Sequence, residues 1–295
     1  MQQRLRSPHQ TKWRECVLAG AALLGGARLA AAADAPVDTP AFVAPQDIAS
    51  PINDRFYFEA IYFPAKVRTQ LRVDPNGMVN GGTPLSGERD LGWPGTNRMG
   101  LVELMFRLRE RNRIRVDYLQ LNRAASITLD RTIIFGNETF VCSITPCNFQ
   151  SSLDWKSESF TYTYAFLQNE HFELGAGLGV HFEQGDLIGS APALLEEHET
   201  SVSFAVPTVA IDAIWNISRR FAFTARGEYV RASLNGFSGS LADYHGDFQY
   251  RWRRNFAIGV GYSYMRQSYE NVAHTNTGLL IFAIQGPQAF LRVSF

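Results

Sequence analysis

Asp243-Tyr244-His245-Gly246-Asp247 puts three titratable side chains at alternate positions, so on a β-strand they share one face. A carboxylate beside an imidazole is the pairing that draws a proton from water or from a hydroxyl nucleophile. Ser233, Ser238 and Ser240 are close in the chain, and none sits in a G-x-S-x-G frame. The expectation is a structural rim histidine at His245, with catalysis as the sharper alternative. His181 has Glu183 two residues on and Glu173 eight residues back, again on one strand face. At ~3.3 Å of rise per residue Glu173 lies about 26 Å away, too far to share a metal ion. An interior, hydrogen-bonded histidine is expected there, with no metal and no cofactor. Cys142 and Cys147 enclose Ser-Ile-Thr-Pro, with no His or second Cys pair nearby. That spacing favours a disulfide pinning a loop in an oxidising compartment over a metal site.

The larger polar set is Glu103, Arg107, Arg115, Asp117, Glu173, His181, Glu183, Arg226, Glu228, Asp247 and Arg251. Each alternates with apolar or aromatic neighbours and so belongs to the opposite face of its strand. Gathered in a narrow lumen, opposite charges pair, and the expectation is a salt-bridge network that fills the interior. A polar conduit is the alternative, if the network leaves a continuous gap. Arg107 and Arg115 flank one turn. Arg226 and Glu228 share one strand face and are expected to compensate each other.

The elements that must carry these residues repeat with period two over segments longer than the usual ~5–6 residues of a soluble strand. One face reads Phe56, Phe58, Ala60, Tyr62; then Val102, Leu104, Phe106, Leu108; then Ile114, Val116, Tyr118. It continues through Phe160 to Phe166, Phe172 to Phe182, and Thr200, Val202, Phe204, Val206, Thr208, Ala210. Phe221 to Tyr229, Tyr244 to Trp252, Phe256 to Tyr264 and Ala289 to Phe295 complete ten sets. An apolar outer face with a charged inner one fits a closed barrel in lipid, where every backbone group is paired and no edge is left. A soluble sandwich would turn its charged face to water. The predicted fold is all-β: a transmembrane antiparallel up-and-down β-barrel of about ten strands over residues 54–295, with eight or twelve as alternatives.

Connection lengths orient it. Arg109–Asn112, Leu167–Glu170, Asn216–Arg220 and Arg253–Asn255 read as short periplasmic turns. Residues 74–96, 136–151, 185–198, 235–240 and 270–277 read as the longer outer loops. Ahead of the barrel, Arg4, Arg6, Lys12 and Arg14 precede a small-residue apolar run ending at Ala31-Ala32-Ala33. This is the layout of a secretory signal peptide over residues 1–33, and Arg28 cuts the run short of a membrane-spanning helix. Residues 34–53 hold four prolines and read as a periplasmic extension. The signal carries five of the 28 basic and one of the 28 acidic residues, leaving 23 and 27, a net charge of −4. No bulk positive field points to nucleic acid.

Gly82-Thr83-Pro84-Leu85-Ser86, Asp90-Leu91-Gly92, Thr128-Leu129-Asp130 with Phe135-Gly136, and the run Leu174 to His181 resemble a group of uncharacterised proteobacterial outer-membrane barrel proteins. The resemblance implies an outer-membrane barrel and brings no ligand or catalytic residue with it. The Asp243–Asp247 segment is also similar to the site of omptin-type surface proteases, which implies a second acidic pair opposite; none is identifiable. Phe295 resembles the C-terminal recognition signal of outer-membrane proteins, which implies the barrel-assembly machinery as a partner alongside outer-membrane lipid. The functional expectation is a non-enzymatic outer-membrane barrel with a structural or surface-interaction role. A narrow passive channel comes next, then a surface hydrolase with a rim Asp/His site. Oligomeric state is not legible.

Overall fold

Alternation sustained past ten residues builds ten long strands of 14–22 residues, well beyond what a soluble sheet needs. The computed structural model describes residues 50–194, 196–234, 236–272 and 277–295. The expected signal peptide and residues 34–49 of the expected extension lie outside the described residues. In chain order the elements are β1 (Phe56–Val73), β2 (Leu85–Ser86), α1 (Gly87–Asp90), β3 (Thr96–Arg109), β4 (Asn112–Leu129), β5 (Thr132–Phe135) and β6 (Glu138–Val141). They continue with β7 (Cys147–Gln168), β8 (Phe172–Ala191), β9 (Glu196–Asn216), β10 (Phe221–Leu234), β11 (Phe237–Arg253), β12 (Phe256–Asn271) and β13 (Gly278–Ser294).

Pairing runs antiparallel from β1 through β3, β4 and β7 to β13, and β13 returns to β1 from Tyr57↔Ser294 to Val73↔Gly278. This is a closed ten-stranded barrel. The short β2 adds to β1 at Gln70 and Leu71. Closure removes the sheet edge, so the backbone is satisfied even where no water reaches. The outward face is apolar: Phe58, Tyr62, Phe106, Tyr162, Tyr164, Leu178, Phe223 and Val260 are all exposed. A continuous exposed apolar belt of this kind is stable only against lipid.

Four details depart from expectation, one being that the expected outer loop over 235–240 is strand from Phe237 onward, the start of β11. On β9 the series Thr200 to Ala210 faces inward, while Val209, Ile211 and Trp215 are exposed to lipid. This strand is apolar on both faces, so composition cannot choose between them; pairing with β8 and β10 does, and a slip of one residue exchanges every side chain. The expected loop over 185–198 is mostly strand, interrupted only between Ala191 and Glu196. Its glycines fit the inner wall: a Cβ on Gly185 would stand 2.4 Å from the Trp155 ring. Those glycines make room for aromatic side chains, and their sequence signal resembles a loop. Residues 136–151 likewise contain strand, with β7 starting at Cys147. The β5–β6 hairpin hidden ahead of it forms its own two-stranded sheet instead of lengthening the barrel.

At the long-loop end the connections are tied together. The β5–β6 hairpin is anchored by Thr83 N to Ile134 O at 2.9 Å and Gly136 N to Val73 O at 3.0 Å. Asp74 accepts from Gly82 N at 2.9 Å and from Arg72 Nε at 2.9 Å, fixing the turn that leaves β1. Arg123 reaches Glu88 at 2.8 Å and Arg131 reaches Asp90 at 2.8 Å, holding α1 over the rim. Cys142 and Cys147 form a disulfide across the loop between β6 and β7, with Cα atoms 5.2 Å apart.

Candidate functional site: the lumen

Inward residues from opposite walls meet at three heights. Nearest the short turns, Arg107 Nη1 donates to Glu173 at 3.0 Å, and Arg113 reaches the same carboxylate at 2.9 Å and pairs with Asp212. Arg251 grips Asp54 with both terminal nitrogens, at 3.0 and 2.5 Å. Arg292 pairs with Glu59 at 2.5 Å and stacks over Tyr57, 4.1 Å from the ring centroid. Ser50, Ile52 and Asp54 are buried, so the chain entering β1 itself packs against this end.

One tier up, Arg226 on β10 crosses to Glu103 on β3, which also accepts from the Tyr57 hydroxyl. Arg226 lies 3.6 Å from Asp117, and Asp117 is held by Arg115 at 3.2 Å and by Ser159 at 2.8 Å. Glu228 is the most heavily bonded carboxylate. It accepts from Arg115 at 2.6 Å, Thr161 and Thr208 at 2.7 Å each, and sits 3.0 Å from His181 Nε2. A Cβ on Gly179 would stand 2.7 Å from that carboxylate, which accounts for glycine on the inner face of β8. Arg226 and Glu228 are therefore not each other's partners. Neighbours on one strand face stand side by side, and in a narrow lumen both reach across it instead.

The third tier turns apolar. Glu183 accepts from Trp155 Nε1 at 2.8 Å, Ser157 at 3.0 Å and Gln267 at 2.9 Å. Above it Trp155 on β7 meets Phe282 on β13 at 4.9 Å and Tyr269 on β12 at 6.1 Å, and Tyr269 meets Phe204 at 4.6 Å. β7 and β12 stand five places apart in a ring of ten, so Trp155, 1 % exposed, and Tyr269 together bridge opposite walls. Phe149 and the hairpin residues Phe135 and Phe140 continue this cluster towards the cap. A cavity of about 50 Å³ remains in the ionic half, bordered by Glu59, Glu103, Arg113 and Arg226. That is room for a few waters and no more.

The structure places the expected charged residues on the inner wall in distinct clusters: Glu173 belongs with Arg107 and Arg113, Arg251 with Asp54 and Asp247 with Gln288, while Glu103, Arg115, Asp117, His181, Arg226 and Glu228 form the central group. Sequence reasoning missed Asp54, Glu59, Arg113, Asp212 and Arg292. Counting strand register outward from the termini would have found one pair, because Glu59 stands directly opposite Arg292. Asp212 was hidden by the ambiguity of β9.

His245 is not on the rim. It is buried, with Nδ1 2.7 Å from Ser263 Oγ and Nε2 2.8 Å from Asp243 Oδ1. Ser263 also donates to Gln288, whose amide donates to Asp247. Ser263 is the cross-strand partner of His245 in the β11–β12 hairpin, so register from the turn identifies it. Ser233, Ser238 and Ser240 lie on the outward face instead. A hydroxyl, an imidazole and a carboxylate in series have the connectivity of a nucleophile–base relay. Two features argue against that use: the His245–Asp243 contact lacks hydrogen-bond alignment, and Ser263 is 2 % exposed beneath the aromatic tier. Among the described residues no group of three or more His, Cys, Asp or Glu side chains is arranged to hold a metal ion.

No family model and no curated protein matches the chain. Among solved structures, the outer membrane protease OmpT of Escherichia coli superposes with a TM-score of 0.51 at 10 % identity, covering 85 % of this chain and 100 % of that one. The transport unit of the autotransporter AIDA-I from Escherichia coli gives 0.40 at 8 % identity, covering 82 % and 91 %. The attachment invasion locus protein Ail of Yersinia pestis gives 0.33 at 11 % identity, covering 80 % and 97 %. At such identities the likeness concerns the fold alone: this chain has the architecture of bacterial outer-membrane β-barrels.

Proposed function

We propose that this barrel is a non-conducting, non-enzymatic outer-membrane protein that acts through the surface it presents at its long-loop end. The observation that carries this reading is Trp155, which bridges opposite walls and closes the lumen together with Tyr269, Phe282 and Phe204. A barrel crossed by salt bridges below and aromatic rings above has no path for a solute, so its work falls to its ends. The cap supports an interaction role: its loops are cross-tied, which lowers the entropy a partner must remove on binding. It also keeps apolar side chains in water, with Ile144 88 % exposed beside the disulfide and Met78 61 % exposed on the β1–β2 connection.

Planar-bilayer recording tests the closed lumen. The reconstituted protein should give no conductance steps above the lipid baseline, and Trp155→Ala with Phe282→Ala should introduce intermittent openings. Regular open-channel steps from the unaltered protein would return the passive-channel reading.

Phe295 is 68 % exposed, lies 6.2 Å from the Phe56 ring and donates its backbone N–H to Phe56 O at 2.8 Å. The reading assigns this terminal aromatic to recognition by the assembly machinery. Phe295→Asp should reduce the folded yield in the outer membrane while the purified chain still refolds in detergent. Equal yields in cells would remove that assignment.

A further inference from the structure

The outward wall changes character at one level on four strands. On β1, Phe56, Phe58, Ala60, Tyr62 and Pro64 are followed by Lys66 and Arg68. On β12, Phe256, Ile258, Val260, Tyr262 and Tyr264 are followed by Arg266. On β10, Phe221, Phe223, Ala225, Gly227 and Tyr229 are followed by Arg231. On β3, counted upward from the short turn, Leu108, Phe106, Leu104, Val102 and Gly100 are followed by Arg98. Five outward positions of apolar or small residues precede the cation in every case.

That count has a physical scale. Ten residues of strand rise about 33 Å, and at the ~40° tilt of a membrane barrel this is about 25 Å of height, the thickness of the apolar band. The cations therefore stand where hydrocarbon gives way to headgroups. The four strands that carry them fall within one continuous sector, β10–β11–β12–β13–β1–β3, in which β11 and β13 contribute none of the five. Register draws several together: Arg68 and Arg266 both flank Ala283, Lys66 pairs with Gln285, and Arg98 pairs with Pro64. All five are exposed, and among the described residues no carboxylate oxygen lies within 4.0 Å of them. The other side of the barrel is acidic above its apolar run, with Asp154, Glu158, Asp186, Glu197 and Glu199 facing out around Lys156.

We propose that the β10-to-β3 sector is a binding face for anionic, phosphate-bearing lipid headgroups of the leaflet around the long-loop end. Arginine meets phosphate with two parallel N–H donors, and four of the five cations are arginines. Tyr229, Tyr262 and Tyr264 lie just beneath them, at the depth where tyrosine bridges acyl chain and headgroup. The anion is a lipid and not free phosphate because the cations continue the wall that the acyl chains cover. A molecule packed on Val260 and Tyr262 delivers its phosphate to Arg266. The acidic opposite sector makes the preference one-sided, which orients the barrel among charged lipids.

Native mass spectrometry of the folded, full-length barrel in neutral detergent tests this, with phosphatidylglycerol titrated against phosphatidylcholine. The unaltered protein should retain the anionic lipid preferentially, and the preference should fall as salt rises. A variant carrying Lys66→Gln, Arg98→Gln, Arg231→Gln and Arg266→Gln should lose most of it. The expected loss is about fivefold per charge, the ratio equivalent to ~1 kcal/mol per cation at an anionic surface. A control with Arg109, Arg219, Arg220 and Arg253 changed to Gln at the short-turn end removes equal charge and should lose less. Unchanged preference in the sector variant, equal loss in both variants, or a preference indifferent to salt in the unaltered protein would each overturn the proposal. The salt measurement decides even if a variant fails to fold.

Discussion

Replacing Glu228 with Ala should destabilise the barrel by about 3–5 kcal/mol, the cost of leaving buried charges without their counterpart. Glu228 is buried and serves Arg115, His181, Thr161 and Thr208 together, so its loss leaves Arg115 with Asp117 alone and takes the acceptor from an imidazole and two hydroxyls. Glu228→Gln keeps the shape and most acceptor capacity, and should cost less. The check is urea unfolding from lipid vesicles followed by tryptophan fluorescence. A double-mutant cycle separates the observed network from the one expected along a single strand. Glu228 and Arg115 should couple strongly, whereas Glu228 and Arg226 should couple weakly, because Arg226 is committed to Glu103 and Asp117. Strong direct coupling between Arg226 and Glu228 would contradict the cross-lumen assignment.

The barrel was legible because its evidence is periodic. Phe56 to Tyr62 and Phe256 to Tyr264 show their lipid face without reference to any other strand, and the short turns divide the chain into countable pieces. Legibility ended where the decisive fact was a pairing. Thr200 to Ala210 and Val209 to Trp215 are both plausible lipid faces for β9, and only the neighbours at Asp212 and Thr208 settle which is inside. Gly185 and Gly189 have the composition of a loop, yet they sit in strand because Trp155, Phe135 and Phe149 occupy the space beside them. The aromatic tier escaped notice for the same reason. Trp155, Tyr269 and Phe282 are far apart in sequence, and nothing local marks them as meeting across a lumen. His245 was readable as a group with chemistry, but its depth was not, since rim and interior share the same alternation.

Leu178→Arg should cost roughly 2–4 kcal/mol, the expected penalty for an arginine at the midplane of a membrane barrel's lipid face. Leu178 is 63 % exposed, midway along the apolar run of β8 from Phe172 to Phe182. The same substitution at Gln184, the next outward position beyond that run, should cost at most about 1 kcal/mol because headgroups and water solvate the charge there. The comparison holds strand, face and introduced residue constant, so depth in the bilayer is the variable that remains. Leu178→Ala measures what is lost by truncation alone, and the excess of arginine over alanine is the price of charge in hydrocarbon. On the inner face of the same strand, His181 lies three residues from Leu178 and is tolerated because Glu228 meets its Nε2 at 3.0 Å. Leu178 faces no such partner, and a long side chain midway up the wall has furthest to reach to either interface. Refolding into vesicles of matched thickness gives the two free energies directly. Equal costs at Leu178 and Gln184 would mean that β8 does not face lipid, and the assignment of inside and outside would have to be reversed.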